Sequence, residues 1–326
     1  MEKIKLGKAL YFDPLLSKNS DISCVTCHSL NKEGKHGSTV LLDFLLSKNK
    51  NATDCTACHI SDQSGVDRFT VAVGHEGTED PYHLNTPTIL NAALAKYFTW
   101  NGTVQSVEEQ AGIDMQSHFR MNITPKELEN RLKNTPLYAA QFEEAFRDGV
   151  SFENTKKAIG AYVRTLQTRG SFDRFLEGDD EAISAEAKRG LANFINFGCK
   201  GCHTGMSVGG QSLQRFPVRN FGSFYDDTGN LKITPQSIRL SDRFPFENKG
   251  DFLGKDNRQR FRVPILRNVT RTSPYFHNGA VPKIREAVDI MAKYQLGLNL
   301  TNVQIDEIVA FLKTLEGDIV DYSVDK

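Results

Sequence analysis

Neither sign of charge is in surplus in this 326-residue sequence: 40 Lys and Arg face 40 Asp and Glu, and the pI is about 7.1. Without a basic excess nothing drives counterion release from DNA or RNA, so no nucleic acid partner is expected. Long hydrophobic runs are missing too. The greasiest stretch, Val40 to Leu46, is broken by Asp43. It falls well short of the roughly 18 consecutive apolar residues that suggest a bilayer span, so no membrane span is expected. The opening residues, MEKIKLGKAL, alternate charged and apolar side chains and do not form a secretory leader as written. Either a leader has been removed or the chain is cytosolic. Tryptophan is reduced to one residue, Trp100. A disordered chain is nevertheless excluded, because 39% of the residues are hydrophobic, enough to build cores. At roughly 100–200 residues per domain, the length suggests two domains.

Cysteine is sparse, and none is left over. The six fall at 24, 27, 55, 58, 199 and 202, each in a CxxC pair followed at once by histidine. The three copies are Cys24-Val25-Thr26-Cys27-His28, Cys55-Thr56-Ala57-Cys58-His59 and Cys199-Lys200-Gly201-Cys202-His203. This is the c-type haem attachment pattern. Two residues between the thiols let both sulfurs reach the vinyl groups of one porphyrin as thioethers, and the adjacent imidazole then meets the iron. One covalent haem c per motif follows, with three motifs and at least two haems expected. Other uses of CxxC fit less well. A disulfide framework suits a small secreted chain and gives the histidines no task. A zinc site of Cys24, Cys27, Cys55 and Cys58 would have 27 residues between its pairs and leave the third pair without partners. A thioredoxin-like pair wants a βαβ context that the sequence does not show. Haem attachment needs reduced thiols and haem delivered outside the cytoplasmic membrane. The expected compartment is therefore the bacterial periplasm, with the signal peptide removed or truncated.

Helix signals outnumber strand signals, and the expected class is mainly α with long loops and little β. Thr124-Pro125-Lys126-Glu127 reads as a capping box with proline at the first helical position, opening a helix through Leu132. Further helices are expected over Pro87 to Lys96, Leu137 to Phe146, Phe152 to Gln167 and Ala185 to Phe197. Another runs over Val303 to Leu315 after a Thr301/Gln304 box. Gly205 to Phe261 reads as long loops, with room for short hairpins. Thr168 to Asp180 is the candidate boundary, giving domains 1–168 and 169–326, the first with two motifs and the second with one. Leu15-Leu16-Ser17-Lys18-Asn19 before Cys24 recurs as Leu45-Leu46-Ser47-Lys48-Asn49 before Cys55, which suggests a local duplication.

In this order the motifs resemble the bacterial di-haem cytochrome c peroxidases and the related MauG-type enzymes, from Leu6 to about Leu315. The markers are Leu6-Gly7-Lys8-Ala9-Leu10-Tyr11-Phe12-Asp13-Pro14, Val71-Ala72-Val73-Gly74-His75, Asn85-Thr86-Pro87-Thr88-Ile89-Leu90-Asn91 and Trp100-Asn101-Gly102. Further on come Val263-Pro264-Ile265-Leu266-Arg267-Asn268-Val269, Ser273-Pro274-Tyr275-Phe276-His277-Asn278-Gly279 and Glu286-Ala287-Val288-Asp289-Ile290-Met291.

The resemblance implies two cytochrome c-like haem domains, the N-terminal one carrying an extra CxxCH insertion. The haem of Cys199, Cys202 and His203, with Met291 as sixth ligand, would be the high-potential entry point for electrons. The N-terminal haem would be peroxidatic, with His59 or His28 as proximal ligand and His75 as removable sixth ligand. The approach from Asp13-Pro14 favours His28, but the sixteen-residue spacing from His59 to His75 decides the expectation: His59 serves the peroxidatic haem, and His28 an added third haem. Trp100 would relay electrons. Asn85 with the carbonyls of Thr272 and Pro274 matches the family's calcium site. His36, His83, His118, Met115 and Met121 are candidate sixth ligands for the extra haem, and His277 is given no chemistry.

One departure stands out. Where the family has a glutamate before a methionine, this sequence has Arg120 before Met121, and Asp114 is the nearest upstream carboxylate. Arginine cannot shuttle a proton. The implied activity is a periplasmic cytochrome c peroxidase reducing hydrogen peroxide to water with electrons from a small redox protein, such as a c-type cytochrome or a cupredoxin. A homodimer is also suggested. The alternatives are a MauG-like haem oxidase and a non-catalytic multi-haem electron carrier.

Overall fold

Helices form where the sequence marks their starts. The computed structural model describes residues 1–30, 64–218 and 243–320. Its helices are α1 Glu2–Phe12, α2 Cys24–Cys27, α3 Val107–Gln116, α4 Pro125–Lys133, α5 Pro136–Ala145, α6 Phe152–Val163, α7 Ser171–Leu176, α8 Ala185–Asn196, α9 Ile284–Met291 and α10 Asn302–Thr314. Among the described residues, strand is confined to β1 Thr168–Gly170, β2 Leu213–Arg215, β3 Arg260–Arg262 and β4 Gly317–Ile319, with β1 beside β4 and β2 antiparallel to β3. The fold is mainly α with little β, as expected. No helix among the described residues is long and apolar enough to cross a membrane.

Side-chain caps explain several of these starts. Ser106, Thr124, Ser151, Ser184 and Thr301 each accept from a backbone N–H three residues on, satisfying a donor that a helix start leaves open. The Thr301/Gln304 box is complete, with bonds of 2.9 and 3.3 Å. The Thr124/Glu127 box is half made. Thr124 accepts from Glu127 N at 3.2 Å, but Arg131 one turn on takes the Glu127 carboxylate at 2.8 Å. With both partners charged, that bond outcompetes the one the box would add from a neutral backbone N–H.

The helix expected over Pro87 to Lys96 does not form; only the single turn Ala92–Leu94 is helical. Backbone donors there are satisfied from afar. Ile89 N donates to Gly65 O, Asn91 N to Leu166 O, and Lys96 N and Tyr97 N to Gly210 O. Asn91 itself sits in the left-handed region at φ 58°. With those donors committed to distant carbonyls, the helical ladder is not built, and tertiary bonding overrides local propensity.

The chain gathers into two units. One comprises Met1–Leu94, Val104–Thr168 and Ile319–Lys326, the other Ala95–Thr103 and Arg169–Asp318. The short segment with Trp100 thus packs with the C-terminal residues. Each unit is built on one close helix crossing. In the first, a Cβ on Gly7 of α1 would collide with the Ala158 carbonyl of α6 and touch the Tyr162 side chain. In the second, a Cβ on Gly190 of α8 would collide with the Glu307 carbonyl of α10 and touch the Phe311 side chain. A glycine meeting a carbonyl and the side chain four residues later is the same contact made twice, and only glycine lets the backbones approach so closely.

Around the first crossing lie Tyr11, Val25, Leu30, Leu90, Tyr162 and Leu166, with Cys24 packed against them. Around the second lie Phe194, Ile290, Phe311 and Leu312, with Cys199 and Met291 packed against them. Burying each such large apolar side chain stabilises by about 1.5–3 kcal/mol. Both cores therefore include a cysteine of a CxxCH motif.

Candidate haem sites

The first motif is a single helical turn. His28 N donates to Cys24 O at 2.9 Å, and Ser23 N to Thr26 Oγ1 at 3.0 Å. On such a turn residues i, i+3 and i+4 share a face, so Cys24, Cys27 and His28 emerge together. Distant groups pin the turn. Tyr11 Oη donates to His28 O at 2.8 Å, Gly65 N to Ser29 O at 2.9 Å, and Cys27 Sγ to Val73 O at 3.5 Å. His28 Nδ1 lies 3.1 Å from Gly65 O. Giving the Nδ1 proton to that carbonyl leaves the Nε2 lone pair for a metal, the usual support of a ligating histidine. Burial pushes His28 down to about 4, with the Gly65 carbonyl opposing and the Arg120 charge assisting, so the ring is neutral at neutral pH. Burial also pushes Cys24 up to about 12 and raises Cys27 further.

The third motif repeats the construction. Gly198, left-handed at φ 96°, leads into the turn Cys199–Gly201, where Cys202 N and His203 N both donate to Cys199 O, at 3.2 and 3.1 Å. His203 Nδ1 lies 3.4 Å from Val208 O. Burial pushes His203 down to about 4, opposed by the Val208 and Pro264 carbonyls, and pushes Cys199 up to about 11. Met291 closes α9 at the edge of the same core as Cys199, and the Phe194 ring lies 6.2 Å from the His203 ring. Both turns fit haem c, since each presents two unbridged cysteines and a part-buried neutral imidazole braced on a carbonyl. No group of three or more His, Cys, Asp and Glu side chains suited to a bare metal ion occurs among the described residues.

His75 is only 4% exposed, and the segment 118–122 supplies most of its partners. Its N–H donates to Arg120 O at 2.8 Å, and its Nε2 lies 3.1 Å from His118 O and 3.0 Å from Asn122 Nδ2. Protonated, Nε2 satisfies the carbonyl and faces the amide donor; unprotonated, it satisfies the amide and faces the carbonyl. Nδ1 has no hydrogen-bond partner among the described residues, and Glu76 Oε2 is 4.0 Å away. A buried imidazole with these mismatched contacts has coordinating capacity in reserve. Gly74 is required here, because a Cβ on it would collide with Phe119 O.

Where sequence reasoning put Arg120 in place of a glutamate, the structure places an ion pair. Arg120 Nη1 binds Asp114 Oδ1, and Gln110 Nε2 donates to both Asp114 carboxylate oxygens at 2.9 Å. Sequence spacing alone did not reveal this pairing across the end of α3. It also missed Asp67, which is buried and accepts from Thr86 Oγ1 at 2.7 Å and Phe69 N at 3.0 Å; burial, only partly opposed by these bonds, pushes it up to about 7.

The remaining site residues are spread through the two units. The Arg262 guanidinium lies 5.7 Å over the Trp100 ring, and Arg262 N donates to Trp100 O at 2.9 Å. Burial lowers Arg262 to about 10. His277 stacks on Phe261 at 4.7 Å and bonds Asn248 at 2.6 Å, a structural placement. Asn85 is buried in the N-terminal unit; Thr272 and Pro274 flank Ser273 in the C-terminal unit. Met115, Met121 and His83 are buried, and the His118 ring is 6.0 Å from that of His75. Cys55, Cys58, His59 and His36 lie outside the described residues.

The sequence matches the family described as di-haem cytochrome c peroxidase over residues 1–44 and 35–181. It is 34% identical over 320 residues to cytochrome c551 peroxidase of Pseudomonas aeruginosa, covering 96% of this chain and 78% of that protein. It is 32% identical to cytochrome c551 peroxidase of Nitrosomonas europaea, covering 98% and 81%. A solved MauG-like protein associated with microbial copper homeostasis shares the fold, with a TM-score of 0.67 at 23% identity, covering 97% of this chain and 89% of that one. The chain belongs to the di-haem cytochrome c peroxidase family.

Proposed function

We propose that the protein is a periplasmic multi-haem cytochrome c peroxidase that takes electrons from a small redox protein, a c-type cytochrome or a cupredoxin, and reduces hydrogen peroxide to two waters. The observation that carries this reading is His75, a buried histidine with one orphaned nitrogen and a mismatched contact at the other, two residues beyond Val73, which binds Cys27. A histidine so held can be an iron ligand in one state and leave in another. When bound, haem supplies the iron that binds peroxide and the electrons that cleave its O–O bond.

The chain's own groups do the rest. His28 presents a neutral imidazole, fixed by Gly65 O. The Cys27–Val73 contact supports His28 as the partner of His75, while the sixteen-residue spacing supports His59; the motif not used there serves the added haem. In the C-terminal unit, His203 and Met291 hold the haem that receives electrons, and Trp100 relays them. Asn85 and the Thr272 and Pro274 carbonyls supply oxygen ligands for calcium, a set suited to a hard cation.

Proton transfer is the weak point. The Asp114 carboxylate is committed to Arg120 at Oδ1 and to Gln110 at both oxygens. Turnover is therefore expected to fall about 10²–10⁴-fold below what a free, positioned carboxylate gives. The test is peroxide consumption with a reduced donor, before and after His75→Gly. A peroxidase turns over and responds to the change. An electron carrier turns over in neither form, and peroxide-independent oxidation of a substrate would point to a MauG-like oxidase.

A further inference from the structure

The segment 117–123 is tied back onto α3 at Ile113, Asp114 and Met115, and Asp114 is the residue that ties it twice. Met121 N donates to Asp114 O at 3.2 Å, while the Asp114 carboxylate binds the Arg120 guanidinium and is itself gripped at both oxygens by Gln110 one turn earlier. One aspartate thus holds the loop by backbone and by side chain. Ile123 N closes the far side on Met115 O at 2.9 Å. The loop so fastened is the one that holds His75, through Arg120 O, His118 O and Asn122 Nδ2. Phe119 O lies against Gly74, where a Cβ would not fit. A shift of the loop therefore cannot leave His75 in place.

We propose that the Asp114–Arg120 ion pair, braced by Gln110, is a latch that sets how firmly His75 is held, making Asp114 and Arg120 positioning residues for the sixth-ligand site. The proposal rests on the reading of His75 as a removable iron ligand. With the latch closed, the loop presents one fixed set of partners to the imidazole. With it open, the loop loses one of its two ties at Asp114, and Arg120 O drifts from His75 N. The pair is only partly exposed, at 34% and 25% for the two side chains. It therefore forms in competition with water, and the latch can open without unfolding α3.

The test uses the haem-loaded protein, oxidised as isolated, and reads the ferric spin state by electron paramagnetic resonance and visible absorption. His75→Gly is the reference for complete loss of the ligand. Asp114→Asn and Arg120→Gln are each expected to raise the high-spin fraction severalfold over the unmodified protein, toward that reference. Asp114→Glu, which keeps the charge, is expected to leave the low-spin signal largely in place. Two independent variants guard against failure of one to fold. If Asp114→Asn and Arg120→Gln fold, lower the melting temperature and leave the spin state unchanged while His75→Gly converts it, the pair is merely structural and the proposal is overturned. If His75→Gly itself converts nothing, the ligand reading of His75 falls, and the latch with it.

Discussion

At position 74 there is room for a hydrogen atom and little else, because the Phe119 carbonyl occupies the place of a Cβ. Gly74→Ala would force the chain leading into His75 away from the loop that holds it. Overpacking of this kind typically costs about 1–3 kcal/mol. A lower melting temperature for the alanine variant checks this, and an unchanged one would mean that the loop yields freely. The two N-terminal motifs are distinguished at the same scale. If His28 is the partner of His75, a Cys24→Ala/Cys27→Ala variant loses the haem whose ligand is displaced in His75→Gly and a Cys55→Ala/Cys58→Ala variant retains it; if His59 is the partner, the outcomes are exchanged. Spin-state spectra of the two variants decide between His28 and His59. The attachment turns were legible in the sequence because their chemistry lies within five consecutive residues. The surroundings of His75 were not, because its partners His118 and Asn122 lie 43 and 47 positions away.

Among the elements, α7 is docked by a two-pronged ion pair. Arg267 Nη1 and Nη2 bind Asp173 Oδ2 and Oδ1 at 2.9 and 2.6 Å, and Gly170 N also bonds Asp173, at 2.9 Å. Burial pushes the Asp173 carboxyl up, but Arg267 and the Gly170 N–H outweigh it and hold the group below its ordinary value. The sign follows: a folded-state value below the unfolded one gives stability that is present above about pH 4 and lost as the pH falls through the folded value. Asp173→Asn is expected to cost about 1.5–3 kcal/mol at pH 7, the range for hydrogen bonds to charged groups. The gap between variant and parent should close on acidification, and melting temperatures from pH 7 to pH 3 check it. Element ends of this kind were legible where a cap is local, as at Thr301 and Gln304. They were not legible at Pro87 to Lys96, where Gly65, Leu166 and Gly210 carbonyls take the donors a helix needs. Nor was the release of Glu127 from its box to Arg131, since both residues read equally well as helix formers.

For the molecule as a whole, two helical units each contain a close glycine crossing and each place a CxxCH turn against the core. Membership of the di-haem peroxidase family rests on nearly the whole length of the chain. Family markers spread from Leu6 to Met291 made that membership legible, but periodicity could not show that residues 95–103 pack with the C-terminal unit. That placement is made by Lys96, Tyr97 and Trp100 pairing their backbones with Gly210 and Arg262. If the protein binds calcium, chelation should lower both the melting temperature and peroxide turnover, with calcium restoring them better than magnesium. An unaltered melt after chelation would remove the calcium site.

Peroxide chemistry in this chain requires porphyrin joined covalently to the paired cysteines. Intact mass spectrometry of the denatured protein, produced in a host that matures c-type cytochromes, tests this directly. The expected result is the polypeptide mass plus three haem increments, with two increments meaning that one motif stands empty. A mass equal to the bare polypeptide, with all six thiols free, would contradict it.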